Sequence, residues 1–131
     1  MEVKRTERGW AGHFCLSYRC EYHRNTLLEY NGVKVVVSTV GRLRKDTISN
    51  TYEEVGCGRH FETMAFIANE NDKYNDADVT RHVSFDAKWC LPSPYMELEA
   101  DTMHEDVLME LSKRLVDGTL IQECITEETA Q

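Results

Sequence analysis

The sequence predicts an α+β fold: an antiparallel sheet of about five strands with one long C-terminal helix packed on it. Three observations carry this. Apolar and polar residues alternate through much of residues 10–89, as half-buried strands require. Asn31-Gly32 separates two apolar runs, and both residues accept the positive φ of a type I′ hairpin turn. One later segment instead repeats its apolar residues every four positions, between an acid and a glycine.

Residues 1–9 are charged and read as a loose lead-in. From Trp10 a first strand is expected. Phe14, Leu16, Tyr18, Cys20 and Tyr22 share one face, and His13, Cys15, Ser17, Arg19, Glu21 and His23 share the other. His23, Arg24 and Asn25 break that run. A second strand covers Thr26 to Tyr30, and the hairpin returns as Val33 to Val40. Val35, Val36 and Val37 are apolar in succession, so this third strand is central. Gly41 ends it, and residues 42–58 form a surface loop. Arg59 to Ala68 is the fourth strand, residues 69–78 a polar loop, and Val79 to Phe85 the fifth strand. Cys90-Leu-Pro-Ser-Pro is a connector whose prolines stop any strand.

The helix is expected over 100–118, with Asp101 as N-cap and Gly118 at its end. Met103, Val107, Leu111 and Leu115 form its apolar face, with Leu108 and Met109 beside them. Residues 119–125 extend the packing or meet a partner, and 126–131 are a frayed tail. A single helix covers only part of such a sheet. A homo-oligomer is therefore expected, through a helix interface using Leu111, Leu115 and Leu120.

The chain has 131 residues, the size of one domain over 1–131. No apolar run is long enough for a membrane helix, and the polar residues 1–15 do not read as a signal peptide. Net charge is −8, which argues against direct nucleic-acid binding through bulk electrostatics. The charge is uneven. Residues 1–60 hold ten Lys/Arg and seven Asp/Glu, whereas 61–131 hold five and sixteen. That pattern reads either as a basic site on an acidic body or as two solvated faces. Five cysteines without a C-x-x-C read as reduced thiols of a cytosolic protein.

Several clusters invite a chemical reading. His13, Cys15, Cys20 and His23 are zinc-type ligands, yet a single strand puts Cys15 and Cys20 on opposite faces. Cys57 near His60 makes a thiol–imidazole pair without a further partner, so loss of either should leave activity intact. Asp72, Asp76 and Asp78 lack the glycine and glutamate spacing of a calcium loop. No catalytic residue, metal or cofactor is assigned. Anion binding is favoured instead. Gly56-Cys57-Gly58-Arg59-His60 offers flexible N–H groups beside a cation. Arg24, Asn25 and Thr26 place a guanidinium, an amide and a hydroxyl at an expected strand corner. Arg59 with Phe61, and Arg81 with Tyr74 and Asn75, pair a cation with groups able to hold a base. The expected ligand site is therefore Arg24, Asn25, Thr26, Arg59, Phe61, Tyr74, Asn75 and Arg81.

Trp10-Ala-Gly-His-Phe14, Arg24-Asn-Thr-Leu-Leu28, Val36-Val-Ser-Thr-Val-Gly41, Glu62-Thr-Met-Ala-Phe66 and Asp76-Ala-Asp-Val79 resemble segments of small phage and prophage proteins of gut bacteria. The likeness runs over most of residues 8–118. Within that group the chain resembles the Thoeris anti-defence proteins of the first type. The resemblance implies a β core with a helical C-terminal part and a non-enzymatic sponge in the host bacterial cytoplasm. It would bind cyclic ADP-ribose isomers made by host TIR proteins and so achieve immune evasion. It also implies dimers or hexamers and, in some members, cyclic trinucleotides at a separate site.

Three functions follow as expectations. The first is sequestration of a cyclic nucleotide signal without cleavage. The second is an acidic anti-CRISPR-type inhibitor that binds a host nucleic-acid-binding defence protein. The third is an enzyme acting on a nucleotide signal, which lacks a paired-histidine or metal motif.

Overall fold

The computed structural model describes residues 2–9, 12–13, 17–46, 48 and 50–124. Its architecture is one antiparallel sheet of eight strands with a single α-helix, α1 (Glu97–Asp117), on one face. The strands are β1 (Lys4–Glu7), β2 (Cys20–Tyr30), β3 (Val33–Arg44), β4 (Tyr52–Glu53), β5 (Phe61–Ala68), β6 (Ala77–Ser84), β7 (Cys90–Leu91) and β8 (Ile121–Cys124). Their order is β1-β2-β3-β5-β6-β8, with β4 beside β3 and β7 beside β5.

The α+β class and the antiparallel pairing agree with the sequence, but the strand count exceeds five. Asn31 and Gly32 both adopt positive φ, as the hairpin turn requires. β2 differs from expectation. Ser17–Arg19 is a short 3-10 turn, and Tyr18 is exposed rather than core-facing. His23, Arg24 and Asn25 do not break a strand, because they pair with Val40, Thr39 and Ser38 of β3. The start of the strand expected from Trp10 falls on Trp10, Ala11 and residues 14–16, which lie outside the described residues. The supposed lead-in supplies β1, which pairs with Thr26 to Glu29 of β2.

β3 does not stop at Gly41 but runs on to Arg44. Gly41 lies opposite Phe61, whose ring occupies the space that a Cβ at Gly41 would need. The glycine thus lets the ring lie flat on the sheet. Phe61 then packs edge-on to Tyr22 at 5.6 Å, within a cluster containing Leu91, Ala100 and Met103. Two short pairings also fall in segments read as loops: β4 against Leu43 and Arg44, and β7 against Phe61 and Glu62. The fifth expected strand, β6, starts two residues early, at Ala77, after a register irregularity in β5.

The helix also begins earlier than expected. Met96 occupies the N-cap position without a side-chain cap, and Asp101 instead accepts a hydrogen bond from the Tyr22 hydroxyl at 2.5 Å. Glu97 and Glu99 lie in the first turn, where the helix dipole favours acids. Gly118 ends the helix in the left-handed conformation, as expected. The main core joins Leu28, Val35, Val37, Ala65, Ile67 and Val83 of the sheet to Val107, Leu108, Leu111 and Leu115 of α1. Leu111 and Leu115 are therefore spent inside the protomer, and Leu120 packs on the same core. Leu111 and Leu115 thus have little surface to offer the expected helix interface, whereas Leu120 is only partly buried. β8 pairs with β6, so residues 121–124 complete the sheet edge. The expected tail, 126–131, lies outside the described residues. Among the described residues no helix is long and apolar enough to cross a membrane.

Opposite the helix, the segment around Gly12 and His13 lies on the sheet. His13 bonds Ser38 Oγ through Nδ1 at 2.9 Å and Glu62 Oε1 through Nε2 at 3.0 Å. His13 is thus committed to the sheet rather than to a metal cluster. Burial pushes the Cys20 thiol up to about 11, which keeps it protonated.

Candidate functional site

The expected site residues fall into three separate places. Arg24, Asn25 and Thr26 are not at a corner. They lie inside β2, where side chains alternate between faces. Arg24 Nε bonds Glu7 at 2.7 Å and its Nη2 bonds Glu105 at 2.9 Å. Arg5 bonds the same Glu105. Burial alone would lower the Arg24 pKa, but its bonds to Glu7 and Glu105 raise it. Glu105 is held down at about 2, first by the bond from Arg5. Asn25 is buried and accepts from Arg8 Nε at 2.9 Å. Thr26 is also buried and donates to Glu7. These groups tie β1 and α1 to β2, and the Arg24 guanidinium is already paired with carboxylates.

Arg59 and Phe61 separate as well. Phe61 is fully buried core. The Gly56–Arg59 turn is filled by the Arg59 side chain itself, which occupies the space beside Gly56. Arg59 Nε bonds Glu62 at 2.8 Å, and its guanidinium sits 5.0 Å from the centroid of Trp89. The aromatic partner of Arg59 is therefore Trp89, which is distant in sequence, rather than Phe61. Cys57 is an exposed free thiol on that turn.

Asn75 and Arg81 do meet. They line a cavity of about 370 Å³ at the hairpin end of the sheet, together with Lys34, Glu70 and Gln122. Asn75 adopts φ 54, a left-handed turn conformation that asparagine tolerates. Its loop is pinned by Arg8, whose Nη1 bonds the Tyr74 and Asn75 carbonyls at 2.7 and 3.0 Å. Asp72 caps the same loop by accepting from the Tyr74 and Asp76 backbone N–H groups. Lys34 Nζ lies 3.5 Å from Asn75 Oδ1 and 3.8 Å from Glu29. Arg81 donates to Gln122 Oε1 at 3.1 Å. No carboxylate lies within ion-pair distance of Arg81 among the described residues. Tyr74 is largely exposed beside Lys73 and is not one of the cavity walls.

Lys34 and Gln122 were missed in the sequence because nothing local distinguishes them. β3 and β8 bring them to the cavity from opposite sides of β5 and β6. The resulting wall has two cations against one acid, plus two amides that can donate or accept. That chemistry suits an anion carrying further polar groups. No family model, curated protein or solved structure matches the chain.

Proposed function

We propose that the protein binds and holds an anionic cyclic nucleotide signal without cleaving it, at the cavity lined by Lys34, Asn75, Arg81 and Gln122. The observation that carries this is the contrast among the arginines. Arg24 and Arg59 are consumed by carboxylates, whereas Arg81 is oriented by a neutral amide and keeps donors for a phosphate. A volume of about 370 Å³ falls in the range of small-ligand sites. The resemblance to sponge proteins that bind cyclic ADP-ribose isomers supports the choice of ligand class.

Calorimetry with a cyclic ADP-ribose isomer and cyclic trinucleotides tests the site. Arg81→Ala should weaken binding by roughly ten- to a hundredfold, the effect of losing a charge-assisted bond. Cys57→Ser should leave affinity unchanged, and EDTA should have no effect. Parental affinity in Arg81→Ala would refute the assignment.

A further inference from the structure

A second cavity, of about 240 Å³, is lined by Thr63, Met64, His82, Ser84, Phe85 and Trp89. Met64, Phe85 and Trp89 are apolar or aromatic, His82 and Ser84 carry polar heads, and the Thr63 hydroxyl is already bonded to Thr39. His82 and Ser84 are two residues apart on β6 and so share a face of the sheet. Both are half-buried, yet neither side chain makes a hydrogen bond within the described structure. The His82 ring rests edge-on against Phe66, which fixes it while its nitrogens stay free to bond a ligand. Two convergent open heads between aromatic walls have the makeup of a small-molecule site.

Trp89 is unusually well fixed for an exposed tryptophan. It is 42% exposed, but Arg59 lies over its ring and Glu62 holds Arg59. His13 bonds the other oxygen of Glu62. The Trp89 carbonyl accepts from the Thr63 N–H at 2.7 Å. An aromatic surface held in this way loses little conformational entropy when a ligand stacks on it.

We infer that this cavity binds one uncharged, planar heteroaromatic ring of nucleobase size. The ring stacks on the Trp89 indole, and His82 and Ser84 bond its edge. The volume lies below that of sites for larger ligands, so it admits a single ring or fused pair. No lysine, arginine, aspartate or glutamate is among the cavity's lining residues, so nothing there would pair with a charged ring and the preferred ring is neutral. The phosphate-binding cavity at Arg81 plays no part in this inference.

Adenine, which carries no phosphate, is the probe. It is titrated into the intact chain while the Trp89 indole N–H resonance, assigned with Trp89→Phe, is followed. A saturable shift is expected, which the saturated ring of cyclohexanol does not reproduce. His82→Ala and Ser84→Ala should each weaken adenine about tenfold, with native thermal melts confirming their folds. The inference is overturned by the absence of a saturable shift or by an equal response to cyclohexanol. Undiminished affinity in both the His82 and Ser84 variants would also overturn it. A failure here leaves the Arg81 reading standing, because adenine does not test it.

Discussion

Lowering the pH from 7 to 5 should cost the fold about 2 kcal/mol through His104 alone. This side chain is fully buried between α1 and the sheet. Its Nε2 lies 2.8 Å from Thr26 Oγ1 and its Nδ1 lies 2.6 Å from Thr39 Oγ1. The polarity of the chain follows from one end. The Glu7 carboxylate only accepts, so the Thr26 hydroxyl donates to it and accepts from His104 Nε2–H. Nδ1 is then bare and accepts from Thr39, which in turn accepts from Thr63. A second proton on the ring would face the Thr39 donor and disrupt this sequence.

Burial is the main cause that lowers the His104 pKa, from 6.5 to about 4. Between those values the unfolded chain binds a proton that the folded chain refuses. Stability therefore rises with pH across that window. The contribution is fully present above pH 6.5 and is lost as pH falls towards 4. The full difference is about 3 kcal/mol, of which about 2 is gone by pH 5, above the range where carboxylates titrate. Urea unfolding of the parent and His104→Gln at pH 7 and pH 5 isolates this term from the other histidines. The parent should lose about 2 kcal/mol more than the variant. Equal losses would show that His104 is protonated in the fold.

Gly41→Ala should destabilise the chain by about 1–3 kcal/mol, through overpacking rather than backbone strain. The new methyl would fall within the Phe61 ring. That ring cannot swing aside, because Tyr22, Leu91, Ala100 and Met103 enclose it. A drop of roughly 5–15 °C in the thermal midpoint is expected for a domain of this size. A midpoint equal to that of the parent would mean that β3 and β5 do not pack as described.

The parts of the fold legible in the sequence are those set by local pattern. Asn31-Gly32, the valine run and the four-residue repeat of α1 need no knowledge of distant residues. β1 was hidden because Lys4-Arg5-Thr6-Glu7 has no apolar stripe. Its side chains bond Arg24, Thr26 and Glu105, which lie far along the chain. His104 was hidden for a related reason. It lies on the apolar face beside Met103 and Val107, but its partners are threonines on β2 and β3. In the candidate site, Arg81 and Asn75 were legible as a cation beside a polar loop. The loss of Arg24 to ion pairs was not legible, since all three acids that pair with it, Glu7, Asp101 and Glu105, come from other elements. Trp89 likewise reaches Arg59 only through the pairing of β7 with β5.

Retention of an intact anionic signal at the Arg81 cavity is open to direct test. The most direct test incubates the purified chain with cyclic ADP-ribose isomers and cyclic trinucleotides, removes unbound ligand, denatures by heat and analyses the supernatant by mass spectrometry. Unmodified cyclic ligand should be released from the parent and little from Arg81→Ala. Release of nothing from the parent, or of a linear product, would contradict retention of an intact signal.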